Sequence, residues 1–198
     1  MRTEKLKELK EMLNELKSIE IKITDDNPSF LKSEVYECVL NNGEKIKREK
    51  LIKGNTTGNA VAVIPITKEN NVILTVEPRV FTKETASVGI PSGYVEEGEK
   101  AESAVIRELR EETGYEPRSL ISLGGYYQDE GCSSAYNNLF IAIECEKKYD
   151  QSLDKDEYVK YFQCTYEEAL ELLENGYING SNSVIALERS RKYMKVKK

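Results

Sequence analysis

The sequence predicts a globular domain of mixed helix and strand, of the α/β or α+β class. Strand-like apolar runs alternate with stretches of helical periodicity along the chain, which is the pattern of such a fold. The 198 residues suffice for one domain with a core, or for a core domain with a small appendage. Hydrophobic residues make up 39% of the chain and charged residues 32%, a composition typical of soluble proteins.

The amino-terminal part is expected to hold a helix and a hairpin. Leucines recur at helical spacing over residues 3–18, with Lys and Glu between them, which predicts an amphipathic helix. Two strand-like runs follow, at residues 33–40 and 44–52, and Asn41-Asn42-Gly43 between them is a favourable hairpin turn. The segment KGNTTGN then resembles a linker. We expect residues 1–55 to form this amino-terminal unit and residues 56–198 to form the main domain.

The main domain is expected to alternate strands with helices. Strands are predicted at residues 60–66, 72–80, 119–128, 137–145 and 157–164, and a Gly/Pro-punctuated loop at residues 89–99. A helix over residues 100–113 should end at Gly114. Thr165 and Glu168 form a capping box that predicts a helix to about Asn175. A last helix is predicted over residues 181–194.

The composition also limits which cellular compartment and which binding partners are expected. The sequence has no apolar run long enough to cross a membrane, and its first segment, MRTEKLKELKEMLNELKSIEI, is charged throughout, unlike a secretory signal. We therefore expect a cytoplasmic protein whose four cysteines are reduced and partly buried. The net charge of −6 argues against nucleic-acid binding, so neither nucleic acid nor membrane is an expected partner.

The absence of histidine restricts the chemistry further. Because the chain has no histidine, Ser-His and Cys-His nucleophiles and His-ligated zinc sites are excluded. Acid–base catalysis would then fall to carboxylates, Lys, Tyr or water. Any metal would be held by oxygen ligands, which points to Mg²⁺ or Mn²⁺.

The segment RELREETGY continues the inward face of the helix predicted over residues 100–113. That face begins with three small apolar residues, Ala101, Ala104 and Val105. Steps of three and four residues lead from it to Glu108, Glu111 and Glu112. Like charges at this spacing repel by about 0.2–0.5 kcal/mol per exposed pair, and both burial and the helix carboxyl end add to the cost. A divalent cation is the simplest compensation. The alternative is a solvated helix end neutralised by Arg107 and Arg110.

The spacing around this helix closely resembles the signature of Nudix hydrolases, G-x5-E-x7-R-E-U-x-E-E-x-G-U, in which U is aliphatic. Five residues separate Gly93 from Glu99, seven separate Glu99 from Arg107, and Arg107–Gly114 completes the pattern. Tyr115 departs from it by replacing the last aliphatic residue. The resemblance implies a mixed β-sheet sandwiched between helices, and Mg²⁺- or Mn²⁺-dependent hydrolysis of a nucleoside diphosphate linked to another moiety.

The resemblance also assigns roles by position. Glu108 and Glu112 would be the main metal ligands, with Glu111 in support and the backbone carbonyl of Ser92 as a further ligand. Arg107 and Glu99 would pair and hold the loop–helix–loop in shape. Metal ions in such a site neutralise and orient the pyrophosphate and lower the pKa of a bound water.

The flanking segments resemble ADP-ribose pyrophosphatases in particular. Arg48-Glu49 lies in KREKLIKGNTTGNAVAVIPI and Arg79 ends the strand-like VEPRV. In that group such residues help to bind adenine and phosphates, partly across a dimer interface, and Gly93 of the signature loop belongs to the same substrate site. DKDEYV matches an acidic loop that supplies a catalytic glutamate, here Glu157. The general base would be Glu157 or Glu111.

We therefore expect a Mg²⁺-dependent homodimer that splits ADP-ribose into AMP and ribose 5-phosphate. Two positions differ from the subfamily and bear on the preferred substrate: Gly89 stands where that group has Glu, and Glu130 where it tends to have Pro. The same chemistry on a UDP- or GDP-sugar, NADH or a modified nucleotide stays open as an alternative. So does a non-catalytic module that senses a nucleotide.

Overall fold

The computed structural model describes residues 3–22, 30–53 and 57–194. These residues form four helices, namely α1 (Thr3–Leu16), α2 (Ala101–Thr113), α3 (Tyr166–Glu174) and α4 (Ser181–Ser190). They also form ten strands, namely β1 (Leu31–Val39), β2 (Lys45–Lys53), β3 (Ala60–Thr67), β4 (Val72–Pro78), β5 (Ala86–Gly89), β6 (Ser92–Tyr94), β7 (Tyr115–Glu116), β8 (Ser119–Tyr127), β9 (Tyr136–Lys147) and β10 (Lys160–Cys164).

Eight of the strands form one mixed sheet. Its main path runs β10-β4-β3-β9-β7, with β5 on β4, β6 on β3 and β8 on β9. Strands β3 and β9 are parallel, with Ala60 opposite Asn137 and Ile64 opposite Ile141, whereas the other pairs in the sheet are antiparallel. Every residue of β3 is buried, as expected for a strand covered on both faces.

Helices cover both faces of this sheet, so the predicted fold class is confirmed. One face carries a core to which α1, α3 and α4 contribute Leu9, Leu170 and Leu187. The opposite core packs α2 against the sheet, with Leu109 among its fully buried side chains. Strand β3 contributes to both cores, because its successive side chains point to opposite faces of the sheet. Val61, for example, lies in the core that packs against α2.

Strands β1 and β2 form the predicted hairpin, apart from the main sheet. Val35 pairs with Glu49 across it, and Gly43 closes the turn with a positive φ of 86°. Every residue of β1 is exposed. By contrast, α1 joins the main core, since Leu9 is only 1% exposed. The expected domain boundary at residue 55 lies outside the described residues and stays a prediction.

Several element bounds differ from those predicted. The segment expected to be a loop over residues 89–99 contains β6. Strand β5 was not predicted, because its four residues include a Gly and two small side chains and show no strand pattern. The strand expected from residue 157 begins at Lys160, because a turn in which Glu157 N–H donates to Asp154 O at 3.0 Å precedes it. The final helix ends at Ser190 instead of residue 194.

The capping box of α3 is confirmed. Thr165 Oγ1 accepts from the Glu168 backbone, and the Glu168 carboxylate accepts from Thr165 N–H. All four cysteines are free thiols, and Cys145 and Cys164 are buried. Among the described residues, none of the helices is both long and apolar enough to span a bilayer.

Candidate active site

The candidate site centres on α2 and the loop before it. The helix starts after Lys100 and ends at Gly114, which adopts the left-handed conformation with φ of 73° and donates its N–H to Arg110 O at 2.7 Å. Glu108 and Glu112 are only 9% and 6% exposed. The prediction that these acids continue the buried face of the helix is therefore confirmed for both. Glu111 is less enclosed, with 38% of its side chain exposed.

Arg107 ties this loop–helix–loop together. Its Nε and Nη2 donate to the Glu99 carboxylate at 3.1 and 3.0 Å, as the resemblance implied. Nη1 donates to Glu108 at 2.8 Å and to Glu111 at 3.1 Å, and Nη2 also reaches Tyr94 O at 3.0 Å. One guanidinium thus anchors the loop backbone and orients two of the three helix acids.

Burial makes the charged forms of the two inner acids costly. Desolvation raises the pKa of Glu108 to about 7, although the nearby Arg107 guanidinium acts in the opposite direction. Desolvation also raises the pKa of Glu112 well above its usual range, and the charges of Glu77 and Glu108 add to that effect. The Ser92 N–H donates to Glu112 Oε1 at 3.4 Å. The site is therefore one whose carboxylates would gain from an added positive charge.

Glu77 is a site residue that sequence reasoning missed. It lies on β4 with 17% of its side chain exposed and accepts from Arg79 Nη2 at 2.6 Å. Desolvation raises its pKa, against the opposing influence of Arg79. The sequence feature that could have identified Glu77 is its position at the end of an apolar strand, two residues before the predicted substrate-binding Arg79.

An open cleft of about 550 Å³ lies over these residues. It brings together Glu108, Glu112 and Arg79 with Ser92 and Gly93 of the signature loop. The loop before β10 adds three acids to its wall, Asp154, Asp156 and Glu157. The structure thus brings most of the predicted site residues to one cleft.

Arg48 and Glu49 lie elsewhere in the same chain. Both are exposed on β2, and Arg48 Nη1 donates to Lys47 O at 2.8 Å. A role for them across a dimer interface stays a prediction.

The positions that differ from the family pattern lie apart from one another. Gly89 ends β5 beside the cleft, and Glu130 is exposed in a turn. Tyr115 packs edge-to-face on Tyr161, with ring centroids 6.0 Å apart.

The donor set fits a hard divalent cation. Within the described ranges, no three acidic or cysteine side chains stand close enough to hold a metal by themselves. Mg²⁺ usually takes only one or two carboxylates and completes its shell with waters and substrate phosphates. Glu108 and Glu112 supply two such carboxylates. A Cβ at Gly93 would collide with the Glu108 carboxylate, so the loop backbone directly adjoins it.

The fold is similar to that of a solved structure described as an ADP compounds hydrolase. The TM-score is 0.72 at 24% identity, covering 87% of this chain and 91% of the other. This likeness concerns the fold alone.

Two sequence relatives align over most of their length. An ADP-ribose pyrophosphatase of Bacillus subtilis is 33% identical over 155 residues, which is 78% of this chain and 81% of the relative. A methanol dehydrogenase activator of Bacillus methanolicus is 35% identical, covering 80% and 83% of the two chains.

A GDP-mannose pyrophosphatase of Escherichia coli is more distant, at 26% identity, but covers 89% of this chain and 95% of its own. The family model described as the NUDIX domain matches residues 56–184, well over half of the chain. Together with the signature geometry on α2, this match shows that the chain belongs to the NUDIX family and is a Nudix hydrolase.

Proposed function

We propose that this hydrolase cleaves the pyrophosphate bond of ADP-ribose, or of a similar nucleoside diphosphate sugar, with Mg²⁺ as cofactor. ADP-ribose would give AMP and ribose 5-phosphate. The observation that carries the proposal is the buried Glu108–Glu112 pair on the wall of an open cleft. The names of the relatives support the substrate class, since one is an ADP-ribose pyrophosphatase and another a GDP-mannose pyrophosphatase.

Glu108 and Glu112 would hold Mg²⁺, with the Ser92 carbonyl as a further ligand and Mn²⁺ as an alternative ion. The bound ion would supply charge neutralisation for the diphosphate and a lower pKa for an attacking water. Glu111 would support the site indirectly, because its carboxylate already accepts from Arg107 at 3.1 Å. Arg107 and Glu99 would keep the carboxylates oriented.

Glu157 is the better placed of the two candidate bases. It lines the cleft together with both proposed metal ligands, whereas Glu111 is not among the residues of the cleft wall. Its carboxylate accepts from Asp154 N–H at 3.2 Å, which holds it in a short turn. Glu157 would therefore accept the proton of the attacking water.

Arg79 would bind a substrate phosphate. Its guanidinium is half exposed on the cleft and is oriented by Glu77 at 2.6 Å, and guanidinium groups match phosphate oxygens in geometry and charge. Gly93 would let the loop backbone approach the diphosphate.

The hairpin would form a homodimer interface and bring Arg48 and Glu49 of one copy to the substrate of the other. Val35 and Val39 are 72% and 64% exposed on β1, and a lone two-stranded hairpin is marginally stable in water. Gel filtration is expected to show a dimer; a monomer would remove the cross-subunit role of Arg48 and Glu49. Four free cysteines accord with a cytoplasmic location.

A substrate panel tests the proposal. ADP-ribose, UDP-glucose, GDP-mannose, NADH and a modified deoxynucleoside triphosphate are each incubated with Mg²⁺ or Mn²⁺, and the phosphorylated products are quantified. We expect turnover of ADP-ribose or another nucleoside diphosphate sugar, and retained activity in Glu102→Gln, a control on the exposed face of α2. No turnover of any compound would refute the enzymatic proposal and favour the nucleotide-sensing alternative.

A further inference from the structure

A row of hydrogen-bonded side chains runs from the hairpin to the wall of the cleft. Lys53, at the end of β2, donates through Nζ to Gln128 Oε1 at 2.6 Å. Gln128 Nε2 donates to Asn137 Oδ1 at 3.0 Å, and Asn137 Nδ2 donates to Asn182 Oδ1 at 2.7 Å. Gln128 and Asn182 line the cleft, whereas Asn137 between them is only 1% exposed. We call Gln128, Asn137 and Asn182 the amide row.

The lysine at one end sets the direction of every hydrogen bond in the amide row. Because an ammonium group can only donate, the Gln128 atom that faces Lys53 must be the carbonyl oxygen. The nitrogen of Gln128 then faces Asn137, which accepts with its oxygen and offers its own nitrogen to Asn182. Turning any one amide by 180° would bring two donors or two acceptors together, which is costly for buried groups.

Tyr126 fixes the last amide from a second side. Its hydroxyl accepts from Asn137 Nδ2 at 3.1 Å and donates to Asn182 Oδ1 at 2.9 Å, with Ser181 Oγ at the same distance. Asn182 Oδ1 thus faces two donors, the full capacity of a carbonyl oxygen. Within the described ranges, Asn182 Nδ2 has no partner. The one buried side-chain nitrogen or oxygen without a partner in those ranges is Thr75 Oγ1, so Asn182 Nδ2 is open to solvent.

The amide row therefore presents hydrogen-bond donors to the cleft. Asn182 offers both hydrogens of Nδ2, and Gln128 keeps one Nε2 hydrogen beyond the one that Asn137 accepts. Arg79 lines the cleft and the small space of about 190 Å³ beside it, as Asn182 does, so the guanidinium and the amide are neighbours. Because α4 packs on the face of the sheet opposite α2, Asn182 approaches the cleft from a different side than the acids of α2.

Donors beside a guanidinium suit the oxygens of a phosphate. Phosphate oxygens accept hydrogen bonds and carry negative charge, whereas a hydroxyl group also needs an acceptor for its own proton. The amide row has little to offer such a proton, since Asn182 Oδ1 is fully used and Gln128 Oε1 is held by Lys53.

We propose that Asn182, assisted by Gln128, donates to the diphosphate oxygens of the substrate, and that Lys53 positions both amides from outside the cleft. The inference rests on the proposed hydrolysis of nucleoside diphosphate sugars. Asn182 is then a substrate-binding residue and Lys53 a positioning residue. Because the amides are held in place before the substrate arrives, little entropy is lost when they bind it.

The test reverses the atom of Asn182 that faces the cleft. In Asn182→Asp, one carboxylate oxygen can still accept from Asn137 and Tyr126, while the other replaces a donor with a negative charge. Asn179→Asp is the matched control, because it adds the same charge three residues earlier, at an exposed position outside the cleft wall. Lys53→Met removes the donor that orients the amide row, and Lys53→Arg restores a group that can only donate.

Two quantities are measured with Mg²⁺. One is KM for the nucleoside diphosphate sugar that the wild type hydrolyses best. The other is the calorimetric Kd of imidodiphosphate, which has two phosphates but neither sugar nor base. We expect Asn182→Asp to raise both by about tenfold or more with an unchanged Tm, and Asn179→Asp to leave both within about twofold. Lys53→Met should raise KM by about threefold or more, and Lys53→Arg should restore it.

An imidodiphosphate Kd that is unchanged in Asn182→Asp, or no binding of imidodiphosphate by the wild type, would overturn the phosphate contact. A fall in Tm as large as the loss of binding requires would do the same. A wild-type KM in Lys53→Met would overturn the positioning role. Wild-type protein that binds imidodiphosphate but hydrolyses no sugar nucleotide would instead overturn the proposed function, and the Kd of Asn182→Asp would still decide the phosphate contact.

Discussion

Replacing Glu108 by Gln should stabilise the metal-free protein at neutral to alkaline pH. Glu108 is 9% exposed, and its pKa of about 7 lies above the ordinary value of 4.5. The native protein therefore binds more protons than the unfolded chain between these two pH values. The stability that the protonated Glu108 carboxyl contributes is fully present below pH 4.5 and is lost as pH rises through about 7. The difference between 4.5 and about 7 corresponds to about 3 kcal/mol.

The assay is thermal unfolding in EDTA at pH 5 and pH 8. For a protein of this size, 1 kcal/mol shifts Tm by roughly 2–4 °C. Between pH 5 and pH 8, the Tm of the wild type should therefore fall by about 6–12 °C more than the Tm of Glu108→Gln. Added Mg²⁺ should raise Tm of the wild type at pH 8 but have less effect on the variant. Glu102→Gln, on the exposed face of the same helix, should behave like the wild type.

An equal fall in Tm for wild type and Glu108→Gln would refute the reasoning. It would mean that the Glu108 carboxylate ionises at no cost within the folded protein, so that its burial creates no demand for a cation.

Three further substitutions address the anchor, the base and the core. Arg107→Lys should lower the free energy of unfolding measured in urea by about 2–4 kcal/mol, because a lysine cannot maintain the hydrogen bonds to Glu99 and its neighbours. Arg110→Lys is the control, because the ion pair of Arg110 is more exposed and its replacement should cost less than about 1 kcal/mol. Glu157→Gln should lower kcat by about 10²-fold or more with an unchanged Tm, and an unchanged kcat would return the role of base to Glu111. Leu9→Ala should lower the free energy of unfolding by about 2–5 kcal/mol; a loss near zero would show that α1 is dispensable to the core.

The chemical centre could be predicted from sequence because it is local. The acids of α2 and the apolar residues before them share one helix, so periodicity alone placed Glu108 and Glu112 on the buried face. The pairing of Glu99 with Arg107 followed from the family spacing, since both belong to one loop–helix unit.

Contacts between distant segments could not be predicted in this way. Glu77 reaches the site from β4, and its neighbours depend on β5, a strand too short to show a pattern. The hydrogen bond that Ile90 N–H donates to Ser183 Oγ beside Gly89 needs the start of α4, roughly ninety residues further along the chain. The resemblance marked Gly89 as unusual, but only the packing of three elements shows that a Cβ there would lie 3.2 Å from Ser183 Oγ and 3.7 Å from Thr75 Oγ1.

The most direct test of the account is the rate of product release by wild type and Glu112→Gln under saturating Mg²⁺ and nucleoside diphosphate sugar. Glu112 is 6% exposed among other carboxylates, and a metal that neutralises phosphate contributes several kcal/mol to catalysis. We predict that the variant stays folded and loses about a hundredfold or more in kcat. A folded Glu112→Gln protein as active as the wild type would contradict the assignment of this buried carboxylate pair as the catalytic metal site.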